Sequence, residues 1–447
     1  MKKTTKFQEA APQLSELDLK ADSLSYSLIG AAQTIASVLN GLALPQALHN
    51  VFSASKVAPT NRGAIQDLSY RTMRQVGRVD ALISAMTTKA PEPTLLYSLL
   101  CCALALIVEE DEALHPYTAF TVVDQAVNAA AAHPDIAHAK NMVNALLRRF
   151  LRERAALLAQ VMTLPAARWN YPLWWIDSCK SAYPTTWQAI LETGNLLPPL
   201  TLRINQRATT MTAYLKLLND TGMAARAIGE SAVRLEHPVP VGQIPGFADG
   251  LVSVQDAAAQ LAAPLLDVQD GMRVLDACAA PGGKTSHLLE TANINLLAID
   301  SDAERLNKIT ENLDRLKLSA HTMVGDASKR DWWDGQQYDR ILADVPCTAS
   351  GIVRRHPDIR WLRRKADSAQ LATLSARILD NLWMMTKPNG KLLLVTCSIW
   401  PQESEAQAAA FAHRHQATRL PAPGQLMPTA NSDSDHDGLF FALFQKH

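Results

Sequence analysis

The chain of 447 residues carries 43 Lys and Arg against 43 Asp and Glu, and 48% of it is apolar. Such a length allows roughly three domains at about 150 residues each, and the apolar share is enough for packed cores, which excludes a globally disordered chain. A formal net charge of zero excludes nucleic-acid binding through bulk charge, so any such surface must be a local patch.

In chain order, residues 1–27 read as a polar N-terminal extension. The opening MKKTTKFQEA has basic residues but turns polar and acidic where a secretory signal needs an apolar core, so a cytoplasmic protein is expected. Residues 28–165 are rich in Ala and Leu and read as an all-α domain. The most apolar run, 95–108, stops at Glu109, Glu110 and Asp111. It falls short of the ~20 residues that cross a bilayer, which makes it a buried helix. Farther on, Met142, Val143, Leu146, Leu147, Phe150 and Leu151 recur at helical spacing, while Arg148, Arg149, Arg152 and Arg154 suit a solvated face.

Residues 166–250 read as a connecting α/β module. Prolines break the helical pattern where Trp169, Trp174, Trp175 and Trp187 cluster, followed by the strand TLRIN (201–205), a helix over 211–222 and a Pro-rich stretch. Beyond 250 strands and helices alternate. Apolar runs at 272–279, 295–300, 321–326, 338–347 and 391–398 predict five strands, and GLFFALFQ near the end predicts an antiparallel edge partner. This rhythm implies an α/β, Rossmann-like, doubly wound and mostly parallel sheet over 251–447. The six cysteines show no CxxC spacing and are too sparse for a disulfide scaffold, so a reducing setting and no metal site are expected.

Ligands of such sheets sit at the carboxyl ends of the strands. DACAAPGGKT (276–285) follows the first strand, and Gly282 and Gly283 let the backbone approach a ligand. Asp300 ends the second strand at the offset where an acid meets ribose hydroxyls, and Asp326 ends the third. CAAPGGKT also approximates a triphosphate-binding loop. Cys278 replaces its first glycine, however, and an ATPase has no use for cysteines at the ends of the fourth and fifth strands.

Those cysteines are Cys347, in DVPC after Asp344, and Cys397, in TCS. A free cysteine is commonly a small buried hydrophobe, which is the reading given to Cys278. Cys347 and Cys397 instead open onto the ligand-facing edge. Cytosine C5 is a poor nucleophile, and a thiolate adding at C6 makes it enamine-like, able to take a methyl group before the thiol is eliminated. Asp344 is placed to protonate the ring nitrogen, a role that requires a raised pKa.

DACAAPGGKT, Asp300, GDA (325–327), DVPC and TCS together resemble the RNA cytosine-C5 methyltransferases of the Fmu/Sun type. MVNALLRRF (142–150), PPLTLRIN (198–205), SVQDAAAQ (253–260) and HPDIRWLRR (356–364) are similar to the bacterial members acting on 16S ribosomal RNA of the small subunit, which have a NusB-like helical N-terminal domain. The resemblance implies Cys397 as nucleophile and Cys347 as the residue that helps release the product. It also implies S-adenosyl-L-methionine as cofactor, held by Cys278, Ala279, Ala280, Pro281, Gly282, Gly283, Lys284, Asp300, Asp326 and Asp344.

RNA contact is expected from GIVRRHPDIRWLRRK (351–365), through Arg354, Arg355, Arg360, Arg363, Arg364 and Lys365. A monomer without membrane attachment is expected. Two other readings stay open: a non-catalytic RNA-binding ribosome assembly factor, and a methyltransferase of this family acting on another RNA.

Overall fold

The computed structural model describes residues 13–109, 116–431 and 434–447. The first twelve residues of the expected extension, and Glu110 and Asp111 at the end of the apolar run, lie outside the described residues. The chain divides into two compact units, one of residues 1–181 with 356–362, the other of 182–355 with 363–447.

The first unit is helical: α1 (Leu24–Leu39), α2 (Leu44–Ala54), α3 (Pro59–Met86), α4 (Thr94–Ile107), α5 (Ala119–Ala132), α6 (Lys140–Val161), α7 (Pro165–Trp169) and α8 (Leu173–Ala182). Helix α1 is apolar on nearly all sides because α2, α3, α4 and α5 surround it. The apolar run becomes α4, buried along most of its length. No described helix is long and apolar enough to cross a membrane. On α6 Val143, Leu146, Leu147 and Phe150 are buried as expected, whereas Met142 is exposed, about 100° round the helix from Val143.

Three boundaries differ from the sequence reading. Leu14, in the supposed extension, is buried and its N–H donates to Ser55 Oγ at 2.9 Å, so the helical core begins before residue 28. Helices α7 and α8 belong to this unit, with α7 packed on α3. Residues 356–362 also belong to it. Asp358 accepts from the N–H of Leu44, the first residue of α2, at 2.9 Å, supplying the acceptor that a helix start lacks. Trp361 Nε1 donates to the carbonyl of Met73 at 3.3 Å.

The second unit opens with α9 (Trp187–Asn195) and a small antiparallel sheet. Its strands β1 (Leu200–Ile204), β2 (Ala225–Ile228), β3 (Ala232–Leu235) and β4 (Val252–Val254) lie in the order β2-β3-β1-β4. Helix α10 (Met211–Asp220) packs on it through Tyr214 and Leu218.

After α11 (Ala262–Leu266) comes the large sheet, built from β5 (Arg273–Ala277), β6 (Asn295–Asp300), β7 (His321–Val324), β8 (Tyr338–Asp344) and β9 (Thr386–Thr396). The helices α12 (Gly283–Thr291), α13 (Ala303–Leu316), α14 (Ile359–Leu362), α15 (Asp367–Met385) and α16 (Glu405–His415) lie between and after these strands in the sequence, α14 being part of the helical unit. Then follow β10 (Thr418–Leu426), a short hairpin of β11 (Thr429–Asn431) and β12 (Ser434–His436), and β13 (Leu439–Gln445). The order is β10-β13-β9-β8-β5-β6-β7, with β9 to β7 mutually parallel and β13 and β10 antiparallel.

The central strands are continuous apolar runs because both sheet faces are covered. Val274, Leu342, Leu393 and Phe441 meet α11, α12 and α13, while Leu275, Ile341, Leu394 and Phe440 meet α15 and α16. The predicted edge strand β13 is antiparallel, as expected, but it is interior, because β10 covers it. With Pro421, Pro423 and Gly424, β10 has the composition of an edge strand, and its register shifts between Leu420 and Gly424. The strand order reverses at β5 and β8, so a crevice opens beyond their carboxyl ends.

Candidate active site

Three chain segments converge on that crevice. From β5 the chain turns through Cys278 and Gly282, both in the left-handed region at φ 61° and 93°, into α12. A Cβ on Gly282 would also lie 3.1 Å from the Cα of Ile309, so only glycine suits this turn. Lys284, on the first turn of α12, donates from Nζ to Asp344 Oδ2 at 2.6 Å. Burial pulls the Lys284 ammonium down, but Asp344 outweighs it and the net shift is upward. Asp344, the carboxyl that the sequence reading set beside the base, is therefore engaged by a lysine.

Cys347 follows β8 and Cys397 follows β9, and the parallel pairing of these neighbouring strands brings residues fifty positions apart together. Their sulfurs are 3.5 Å apart. The hydrogen bond to Cys397, and then burial, push the Cys347 thiol well up. The two thiols are thus in direct contact, and either sulfur can be the donor.

A cavity of about 230 Å³ lies beside this group, lined by Cys278, Asp300, Asp326, Pro346, Leu374 and Ile378 among others. Asp300 Oδ2 accepts from the N–H of Ala280 at 3.1 Å, which ties the glycine loop to the end of β6. Asp326 accepts from the N–H and hydroxyl of Ser328 at 2.9 and 2.7 Å, and the Ser328 hydroxyl above all holds its carboxyl below the usual range. Burial pushes the Cys278 thiol up, in keeping with a packing residue. Deeper in, Asp276 is buried against Thr285 Oγ1 at 2.6 Å, and burial raises its carboxyl to about 7. Among the described residues no group of three or more His, Cys, Asp or Glu is arranged to hold a metal ion.

The run expected to contact RNA is split by the structure. Arg354 is buried, donating to Asp435 at 2.6 Å and to the Leu197 carbonyl at 2.9 Å. Arg355 is committed to Asp437 and, at 2.9 Å, Asp256. Arg360 is fully buried, its guanidinium 4.0 Å from the Tyr171 ring centroid and donating to the Asn170 carbonyl at 3.1 Å. For these three the expectation of a phosphate-facing surface is corrected. A flat guanidinium can enter a core when carboxylates, carbonyls or an aromatic face receive it. Arg363 is partly exposed and donates to the carbonyl of Thr348 at 3.2 Å and, more weakly, that of Cys347 at 3.4 Å. Of the six, only Arg364 and Lys365 are exposed.

Sequence reasoning missed two groups. Glu403, in the turn after β9, binds residues beside both cysteines. Arg203 of β1 is fully buried, paired with Glu290 of α12 at 2.6 Å and donating to the Gly283 carbonyl at 2.7 Å. No sequence signal marked Arg203, because alternation with Leu202 and Ile204, which face the core of the small sheet, gave it an outward position.

Comparison with known proteins is consistent across the chain. Residues 263–443 match the family model of 16S rRNA methyltransferase RsmB/F. Residues 171–242 match the ferredoxin-like domain of RsmF/B-like methyltransferases, and 29–152 match the NusB family. The ribosomal RNA small subunit methyltransferase B of Vibrio cholerae serotype O1 is 40% identical over 417 residues, which cover 90% of this chain and 94% of that protein. The protein of the same name in Salmonella arizonae is 39% identical over 433 residues, covering 93% and 97%. Among solved structures, the crystal structure of PH0851 matches with a TM-score of 0.73 at 21% identity, covering 94% of this chain and 99% of that one, a likeness of fold.

Proposed function

The chain belongs to the RsmB/F family of 16S rRNA methyltransferases, and from that premise we propose that it transfers a methyl group from S-adenosylmethionine to C5 of a cytosine in 16S ribosomal RNA. The observation that carries this reading is the pair of thiols 3.5 Å apart at the ends of adjacent parallel strands, in a crevice that also holds the Lys284–Asp344 pair. Binding alone needs no thiols.

The cavity residues fit the cofactor. Asp300 and Asp326 offer carboxylates for hydroxyl or amino groups, while Pro346, Leu374 and Ile378 offer an apolar wall. S-adenosylmethionine supplies an electrophilic methyl group; the remaining work falls to the protein.

Cys397 attacks C6 of the base as thiolate. An unassisted cysteine gives up its proton at pH 7 at a cost of about 2 kcal/mol. The Lys284 ammonium, paired with Asp344 in the same crevice, and the neighbouring Cys347 thiol are the polar groups on which that step draws. As the new C–S bond forms, the C5–C6 electrons move towards the ring nitrogen, which takes a proton from the Lys284–Asp344 pair. C5 then takes the methyl group, the ring nitrogen returns its proton to Asp344, and loss of the C5 proton to water or a base breaks the Cys397–C6 bond and restores the thiolate. Cys347 assists this release.

RNA containing 5-azacytidine should trap the covalent stage, because C5 is then a nitrogen with no proton to lose. Cys397→Ala should form no adduct and no 5-methylcytosine, and an adduct surviving in that variant would sink the assignment. Cys347→Ala should accumulate a covalent complex on ordinary RNA. Bisulfite sequencing of ribosomal RNA with and without the protein names the cytosine.

A further inference from the structure

Glu403 is a buried acid beside the cysteines that the mechanism above does not use. It closes a short turn, Pro401–Glu403, directly after the Cys397 strand end, and is 2% exposed. Its carboxylate takes three donors. Oε1 accepts from the N–H of Thr348 at 2.9 Å, and Oε2 accepts from the Thr348 hydroxyl at 2.6 Å and the Ser398 hydroxyl at 2.5 Å.

Thr348 follows Cys347, and Ser398 follows Cys397. One carboxylate therefore holds the residue next to each sulfur. The bridge continues outward: Ser350 and Ser398 share a hydrogen bond of 3.0 Å, and the Gly351 N–H donates to the Cys397 carbonyl at 2.8 Å. Packing alone does not account for a carboxylate here, since burying one costs more than an apolar residue of similar volume would. Three convergent donors from two loops set their spacing as an apolar contact would not.

We propose that Glu403 is a positioning residue for the methyl transfer, fixing the separation and aim of the Cys347 and Cys397 sulfurs through Thr348 and Ser398. The role in catalysis rests on the function proposed above; the role in holding the two sulfurs does not.

Glu403→Gln keeps the shape but gives one side of the clamp an amide that must itself donate. It should lower kcat about 100-fold with KM for both substrates within about twofold, and slow disulfide formation between the two cysteines about tenfold, as expected for reacting atoms displaced by an ångström or so. That disulfide is formed with diamide, an azo oxidant that takes one hydrogen from each thiol and becomes the hydrazine as the S–S bond closes. It is read by peptide mass on folded protein. Ser398→Ala, which removes one donor, should shift both rates in the same direction by less.

Wild-type kcat and disulfide rate in E403Q overturn the proposal. So does a loss of thermal stability with the disulfide rate unchanged, which would make Glu403 only a structural clamp. If E403Q does not fold, T348V, which keeps the backbone bond to Glu403, takes its place under the same criteria. An RNA adduct that forms without Cys397 would sink the methyl-transfer reading instead, leaving the disulfide result to stand on geometry.

Discussion

At Cys347 and Cys397 two chemically identical side chains lie in hydrogen-bonding contact, and either sulfur can be the donor. The division of labour proposed for them therefore rests on the motif each occupies, and the variants of the two cysteines described above test it. A second residue-scale consequence concerns Asp276. A carboxyl raised from 3.8 to about 7 on folding is bound to its proton more tightly in the folded state. Its contribution to stability is full below about pH 4 and is lost as pH rises through about 7. Asp276→Asn should flatten the stability–pH curve across that window while keeping the acceptor for Thr285. Urea midpoints at pH 4.5 and 8 check it, and an unchanged slope would show that Asp276 is not the group responsible. The two cysteines and their neighbouring acid were legible in the sequence because short motifs mark strand ends. Glu403 was not, since its partner Thr348 reaches it only once β8 and β9 are paired.

At the scale of elements, legibility followed apolar continuity. Strands β5, β6, β8 and β9 are interior and nearly unbroken in Val, Ile, Leu and Ala, so period and length identify them. Strand β10 escaped notice because Pro421, Pro423 and Gly424 interrupt it, features tolerated only on an edge that the sequence reading had given to β13. Where the loop after Cys347 meets the turn before β13, two glycines touch. A Cβ on Gly351 would lie 2.1 Å from the Gly438 carbonyl oxygen, while the Gly351 N–H donates to Cys397 at 2.8 Å. Gly351→Ala should therefore cost about 1–3 kcal/mol, by overpacking. It should also displace the Cys397 carbonyl and lower methylation at the same time. Chemical denaturation together with a methyl-transfer assay tests this; a variant that loses stability but no activity would uncouple the loop from the site.

Over the whole molecule, 43 basic and 43 acidic residues cancel, and the buried Arg354 and Arg360 remove two more cations from any outward field. Charge counting along the sequence could not tell these from Arg364 and Lys365, since burial depends on partners such as Asp435 and Tyr171 that lie far along the chain. The two classes should separate by experiment. Arg364→Ala with Lys365→Ala should leave the melting temperature alone and reduce the salt dependence of RNA binding by about 1.5 to 2 in log–log slope. Arg360→Ala should do the reverse. Filter-binding titrations at several salt concentrations decide, and an unaltered slope in the double variant would remove that pair from the interface.

The assignment of residues 356–362 to the helical unit bears on how the chain matures as it leaves the ribosome. Helices α1 to α8 emerge first, yet the Asp358 that caps α2 and the Arg360 that lies on Tyr171 are made about 180 residues later. At roughly 5–20 residues per second the helical unit waits about 10–40 s for its last segment. By then four of the seven strands of the large sheet have been made and β9, β10 and β13 are still to come, so a chain stalled before residue 362 would carry an unfinished core in both units.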